Sequence, residues 1–217
     1  MNAFARLLLC TALSGLALGA QARTFEVSDF AELDNAVIEA EDGDEIVIKK
    51  GVYELEASLE IFSRVTVRGE QGAVIDAGGR GSGFIVRVPK VRIENLTVRN
   101  YGGDLYARDA GVMVGDGADG TELVNLTLQG PGFGVRADRM NALVVEGCTI
   151  EGDAARHVLD RGDGIFLSYV KNARLNHNSL RNVRDGYYLE NVDAAKSDFN
   201  YFTCLLYTSD AADDLIG

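Results

Sequence analysis

One strand pattern occurs five times along this 217-residue chain, at intervals that suit a stacked solenoid and little else. The copies are Val65–Val67, Val91–Val98, Leu123–Leu128, Val145–Ile150 and Leu175–Leu180; from Val67 through Ile93, Leu123, Val145 and Leu175 the steps are 26, 30, 22 and 30 residues. Each copy is followed by a segment that opens on glycine: Gly83, Gly111, Gly134, Gly164 and Gly186. No single copy can bury its own apolar side, so the copies must stack as successive coils of a parallel ladder. The expected fold is all-β: a right-handed, single-stranded parallel β-helix with two or three short strands per turn. Ile93, Leu96 and Val98 are expected to point inward, with Glu94 and Thr97 facing out, the alternation reversing at the bend between the two strands. The glycine column marks a corner where the backbone needs positive φ, or where a side chain would strike the coil above.

The ends do not follow the repeat. Arg6 precedes an apolar run from Leu7 to Leu18, and Ala20-Gln21-Ala22 has the small-residue pattern of a secretory cleavage site. Residues 1–22 are therefore expected to be a signal peptide cut after Ala22, giving a periplasmic chain that starts at Arg23 and is not membrane-inserted after cleavage. From Cys204 to Asp214 the sequence resembles a translated sequencing-library adaptor, so 204–217 is read as a non-native tail and 23–203 as a β-helix domain truncated on its C-terminal side. The formal net charge is −12, and it stays acidic when both ends are set aside. That sign disfavours nucleic acid, whose binding needs a positive field. Cys148 is the single cysteine between residues 23 and 203. It occupies the repeat position of Leu96, Leu126 and Asn178, an interior column, so it reads as a buried inert thiol, with a copper ligand as the alternative.

Ahead of the first coil, Ser28 and Asp29 can cap a helix whose Phe30, Leu33, Val37 and Ala40 share a face, with Glu32 three residues after Asp29 as in a capping box. That face is expected to close the N-terminal end of the stack. Strands are expected to begin at Ile46–Ile48 and Gly51–Tyr53, with another at Val74–Asp76.

Coil length locates the chemistry. From the first strand to the corner glycine is 18 residues for Ile93 to Gly111, 11 for Leu123 to Gly134, 19 for Val145 to Gly164 and 11 for Leu175 to Gly186. The extra residues fall at one corner of two coils separated by a short one, so the two loops leave the same edge roughly 10 Å apart. They should wall one site over the floor Gly130-Pro131-Gly132-Phe133. Their contents are the candidate binding residues: Tyr101, Asp104, Tyr106, Arg108 and Asp109 in the first loop, and Arg156, His157, Asp160, Arg161 and Asp163 in the second. Asp163-Gly164 and Asp185-Gly186 align in successive coils, bringing two carboxylates to roughly 5 Å. Such a pair must bind a cation, share a proton or be neutralised by Arg161 and Arg184; Asp163, Asp185 and His157 are thus the metal candidates. His177 sits at a repeat bend and reads as structural, and Met113 reads as core. No His, Cys and Met cluster of metal-site spacing appears. Asn95-Leu96-Thr97 and Asn125-Leu126-Thr127 match the glycosylation sequon but read as bends.

Together, Gly43-Asp44-Glu45-Ile46, Gly51-Val52-Tyr53, Val65 to Glu70, Ala73 to Asp76, Asp109-Ala110-Gly111, Arg161-Gly162-Asp163-Gly164 and Arg184-Asp185-Gly186 resemble the NosD family of periplasmic β-helix proteins, within the wider carbohydrate-binding and sugar-hydrolase β-helix group. The resemblance runs from about Thr24 to Thr203, and the last three motifs are its more specific part. Where Asp163 stands, the family usually has Asn. The resemblance implies a non-enzymatic accessory to an ABC-transporter permease and its ATPase, assisting assembly of the copper-sulfur centre of nitrous oxide reductase with a copper chaperone as a further partner. Copper is the metal so implied, and the family's contact positions are expected beyond Thr203. The same fold also supports an enzyme reading, a periplasmic polyuronate lyase or C5-epimerase using His157, Asp160, Arg161 and Asp163 as acid/base and sugar-carboxylate groups. The acidic balance and the absence of tryptophan weigh against it.

Overall fold

The computed structural model describes residues 21–203, so the expected signal peptide, apart from its last two residues, and the expected tail at 204–217 lie outside the described residues. Three parallel sheets form the faces of a prism, with eight, seven and six strands. Each full coil gives one strand to each: Arg92–Glu94, Thr97–Arg99 and Ala110–Val114, for example, are followed one coil later by Glu122–Val124, Thr127–Gln129 and Phe133–Asp138. The fold is a parallel β-helix with three strands per turn.

The register follows the periodicity read from the sequence. Val67 lies on Ile93, Ile93 on Leu123, Leu123 on Val145 and Val145 on Leu175. All five are fully buried, each contributing about 1.5–3 kcal/mol of apolar burial. Leu96, Leu126, Cys148 and Asn178 form a second interior column. The last is polar and is satisfied by the backbone: its Nδ2 donates to the Val145 carbonyl at 3.0 Å, and its Oδ1 accepts from the Cys148 N–H at 3.0 Å. Burial pushes the Cys148 thiol up to about 11, which keeps it protonated.

The corners divide by mechanism. Between the first and second strands of the five coils from Arg92 onward the chain enters the left-handed region, at Asn95, Asn125, Gly147, His177 and Phe199, which is why asparagine and glycine recur there. His177 is structural, as expected, its ring stacked on Phe199 with centroids 5.1 Å apart. The glycines at the third corner have no positive φ. A Cβ on Gly134 would lie 2.3 Å from Ile150 Cγ2 and 2.5 Å from the Gly164 carbonyl oxygen, and Gly83 and Gly164 are as crowded. Collision with the next coil, not turn geometry, explains that column.

The helix spans Phe30–Glu39, with the Asp29 carboxylate accepting from the Glu32 N–H at 2.9 Å. Glu32 reaches back to the N–H and hydroxyl of Ser28, one residue earlier than a standard capping box. Leu33, Ala36 and Ala40 are buried against the first coil, with Phe30 and Val37 partly so. Four strands were not expected: Thr24–Val27, which pairs with Glu45–Ile48 before the helix begins, Leu59–Ile61, and Lys196–Asp198 and Tyr201–Thr203 of the last described coil. Met113 is corrected from core to outer face, because its neighbours Val112 and Val114 take the inward positions.

Candidate functional site

The two long loops join the second sheet to the third in coils separated by one short coil. They face each other across a groove of about 800 Å³ lined by Gly103, Asp104, Leu105, Tyr106, Phe133, Arg156, His157, Leu159, Asp160 and Arg184. Phe133, the first residue of its strand, sits on the floor between them.

Each loop is held by its own polar groups. In the first, Asp109 is buried and its carboxylate accepts from the Asp104 N–H at 3.0 Å. The Asp104 carboxylate in turn accepts from the N–H groups of Tyr106 and Ala107, leaving Tyr106 100% exposed at the rim. In the second, a short 3-10 turn, Val158–Asp160, is capped by His157, whose Nδ1 accepts from the Leu159 N–H at 3.3 Å. Leu159 stands 58% exposed on that rim. Arg156 reaches across, its Nη1 donating to the Gly103 carbonyl at 3.4 Å.

Several expected site residues serve the scaffold instead. Tyr101 is corrected: it is 1% exposed and lies under Gly130, where a Cβ would meet its ring at 2.7 Å. Arg108 turns away from the groove toward Asp138 at 3.6 Å. Arg161 donates to the carbonyls of Ala154, Arg156 and Asn182, closing its own loop onto the next coil rather than meeting a ligand. Asp163 is 0% exposed, and both its oxygens are taken by Arg184, from Nε at 3.0 Å and Nη2 at 2.8 Å. Arg184 also faces Asp185 at 3.5 Å. Of the readings open for the aligned aspartates, neutralisation by arginine is the one observed, and Arg184 alone performs it. Burial pushes the Asp163 carboxyl up while the bidentate guanidinium pulls it down; burial is the larger influence.

These positions decide what the arrangement can do. Of the proposed acid–base quartet, only His157 and Asp160 line the groove; Arg161 and Asp163 are committed to internal partners. The metal candidates fit no better. Asp163 has no lone oxygen to offer, and among the described residues no group of three or more His, Cys, Asp or Glu side chains converges. The donor set of the described residues therefore does not suit copper.

A signal that the sequence reading passed over lies beside the groove. Arg136 is sandwiched on the outer face of the third sheet, its Cζ 5.0 Å from the Phe133 ring centroid and 4.1 Å from that of Phe166. Phe166 stacks on Tyr188 at 5.0 Å and 3°, and Asp138 receives Arg136 Nε at 3.0 Å. The column was available from the repeat, since Arg136, Phe166 and Tyr188 occupy one register position in successive coils. It fixes the floor of the groove by cation–π contact.

No protein-family model matches the chain. It is 39% identical over 133 residues to the "Probable ABC transporter binding protein NosD" of Stutzerimonas stutzeri, an alignment covering 61% of this chain and 30% of that protein. A protein of the same name from Pseudomonas aeruginosa is 38% identical over 120 residues, covering 55% of this chain and 28% of the relative. The matched segment thus spans less than a third of the curated relatives. Among solved structures, a Parabacteroides merdae protein named as a prospective glycosyl hydrolase superposes with a TM-score of 0.64 at 13% identity, covering 82% of this chain and 95% of that one; a likeness at that identity concerns the fold alone. Among the described residues no helix is long and apolar enough to cross a membrane. With the coil register, the loop placement and the NosD alignments taken together, the chain is a NosD-like parallel β-helix.

Proposed function

We propose that this chain is part of a periplasmic β-helix accessory protein that works with an ABC-transporter permease and ATPase in maturation of the copper-sulfur centre of nitrous oxide reductase, with a copper chaperone as a further partner. The likeness to proteins named as ABC transporter binding proteins supports the transporter association. The observation that carries a docking role is the groove itself. Arg184 is committed to Asp163 and Asp185, while Arg156, exposed on the lining, touches the Gly103 carbonyl and Asp153. Its exposed lining includes Tyr106 and Leu159 together with the carboxylates of Asp104 and Asp160 and the side chains of Arg156 and His157. Exposed apolar side chains set among polar and charged ones suit a partner segment that brings an aliphatic or aromatic side chain with polar neighbours. Copper, in this reading, is handled by the partners, and no residue of the described coils is assigned to it.

Co-purification tests the proposal. Full-length protein from the natural gene, extracted in detergent, is expected to bring down a permease and an ATPase. A Tyr106→Ala, Leu159→Ala pair should weaken that association at least 30-fold, as loss of central interface anchors does, with melting unchanged. An intact association in the double variant removes the groove from the interface, and no permease in the wild-type extract removes the accessory role.

A further inference from the structure

The first residue held by the fold is Arg23, and it is held unusually well. Its backbone N–H donates to Asp44 Oδ1 at 2.7 Å, while its guanidinium donates to Asp44 Oδ2 from Nε at 3.0 Å and from Nη2 at 2.7 Å. Nη2 also donates to the Glu39 carbonyl at 3.0 Å, at the C-terminal end of the capping helix, where a positive charge is favoured. The Arg23 carbonyl accepts from the Glu45 N–H at 2.9 Å, so the ladder of the first sheet begins at this residue. Gln21, Ala22 and Arg23 are all exposed and precede the first strand, Thr24–Val27; it is the hydrogen bonds to Asp44, Glu39 and Glu45 that tie Arg23 down. Asp44 is 4% exposed and also accepts from the Glu41 N–H.

We propose that Asp44 is a receptor for the processed N-terminus: cleavage after Ala22 leaves the α-ammonium of Arg23 bonded to the Asp44 carboxylate. Water supplies the chemistry. A leader protease hydrolyses the Ala22–Arg23 bond, hydroxide ending on the Ala22 carboxyl and hydrogen on the Arg23 nitrogen, which takes a further proton at neutral pH. The 2.7 Å amide contact becomes an ion pair with no movement of the strand. The charged groups facing the site are Asp44, Glu41 at 3.8 Å from the Arg23 guanidinium, Glu39 at the end of the capping helix, and the Arg23 side chain itself; Asp42 is occupied by Arg64. Asp44 is ionised throughout the working range, since the Arg23 guanidinium holds its carboxyl down at about 2. Removal of the leader therefore adds a stabilising charge at the point where the stack begins, and links export to completion of the fold.

The inference rests on the secretory reading of residues 1–22 and is independent of the accessory role. Full-length protein exported from a bacterial host is weighed by intact mass and is expected to begin at Arg23; any other start overturns the proposal. Two forms of defined N-terminus, one starting at Arg23 and one retaining Gln21-Ala22, are then melted at pH 6.5 and 10.5. The Arg23 form should melt about 2–4 °C higher at pH 6.5. An α-amine raised by its partner contributes stability that is present below its unfolded value near 8 and is lost as pH rises through its folded value. The advantage should therefore vanish at pH 10.5 and should be missing in Asp44→Asn. Equal melting of the two forms at pH 6.5, or a difference that survives at pH 10.5, overturns the proposal.

Discussion

Arg184→Met should damage the protein out of proportion to the position of a residue whose side chain is 25% exposed. The guanidinium is the counter-charge of Asp163, a carboxylate with no exposure of its own. Methionine keeps the length of the stem and removes both hydrogen bonds, leaving an uncompensated buried charge, which costs about 3–5 kcal/mol. For a chain of this size that corresponds to a fall in Tm of about 6–20 °C. Asp163→Asn should cost less, about 1–2 kcal/mol, because Arg184 retains Asp185 and the amide can still accept a hydrogen bond. The double change, Asp163→Leu with Arg184→Met, should recover most of the loss, since removing both partners removes the stranded charge. The pH dependence has a definite sign. Burial holds the Asp163 carboxyl above its ordinary value, and loss of Arg184 raises it further. A carboxyl raised in the folded state contributes stability below its unfolded pKa, near 4, and loses it as pH rises through the folded value. The Arg184→Met protein should therefore gain Tm relative to the parent between pH 7 and pH 5, read by circular-dichroism melts at both. A single variant within 2 °C of the parent at pH 7, or a double variant no better than Arg184→Met, would refute the assignment of Arg184 as the neutralising group.

The coil stack and the interior thiol offer independent checks. Gly134→Ala should destabilise by about 1–3 kcal/mol through overpacking, because its Cβ would meet Ile150 and the Gly164 carbonyl; denaturant titration measures it, and a neutral effect would mean that the coils can part more easily than their register implies. Leu123→Ala should cost about 2–5 kcal/mol as a cavity in the central column. Cys148 should resist a thiol reagent in the native protein at pH 8 and react stoichiometrically in denaturant, since its thiol is buried and its pKa is pushed up to about 11. Labelling of native protein within minutes would place that column at the surface.

Local sequence carried the architecture because a solenoid repeats its own environment. Steps of 26, 30, 22 and 30 residues became the register pairs of one sheet, and Cys148 could be placed indoors from Leu96 and Leu126 alone. The unequal coil lengths located the groove, since an insertion at a fixed corner must emerge beside its counterpart two coils away. Short strands without the glycine signature, Thr24–Val27, Leu59–Ile61, Lys196–Asp198 and Tyr201–Thr203, escaped notice because three or four residues carry too little period to read.

What happens inside the loops was not legible. Asp163 had two arginines in reach by number, and only the packed structure decided that Arg184 meets it while Arg161 turns to the carbonyls of its own loop. Tyr101 reads as a loop aromatic and is core; Phe166 and Tyr188 read as strand residues and form a stack around a buried arginine. The sequence by itself determined which residues lie above one another, because strand alternation and coil length repeat and each copy checks the next. Tertiary structure alone decided which polar groups satisfy each other, because loop side chains choose partners by distance and burial among neighbours that occur once, and nothing periodic records that choice.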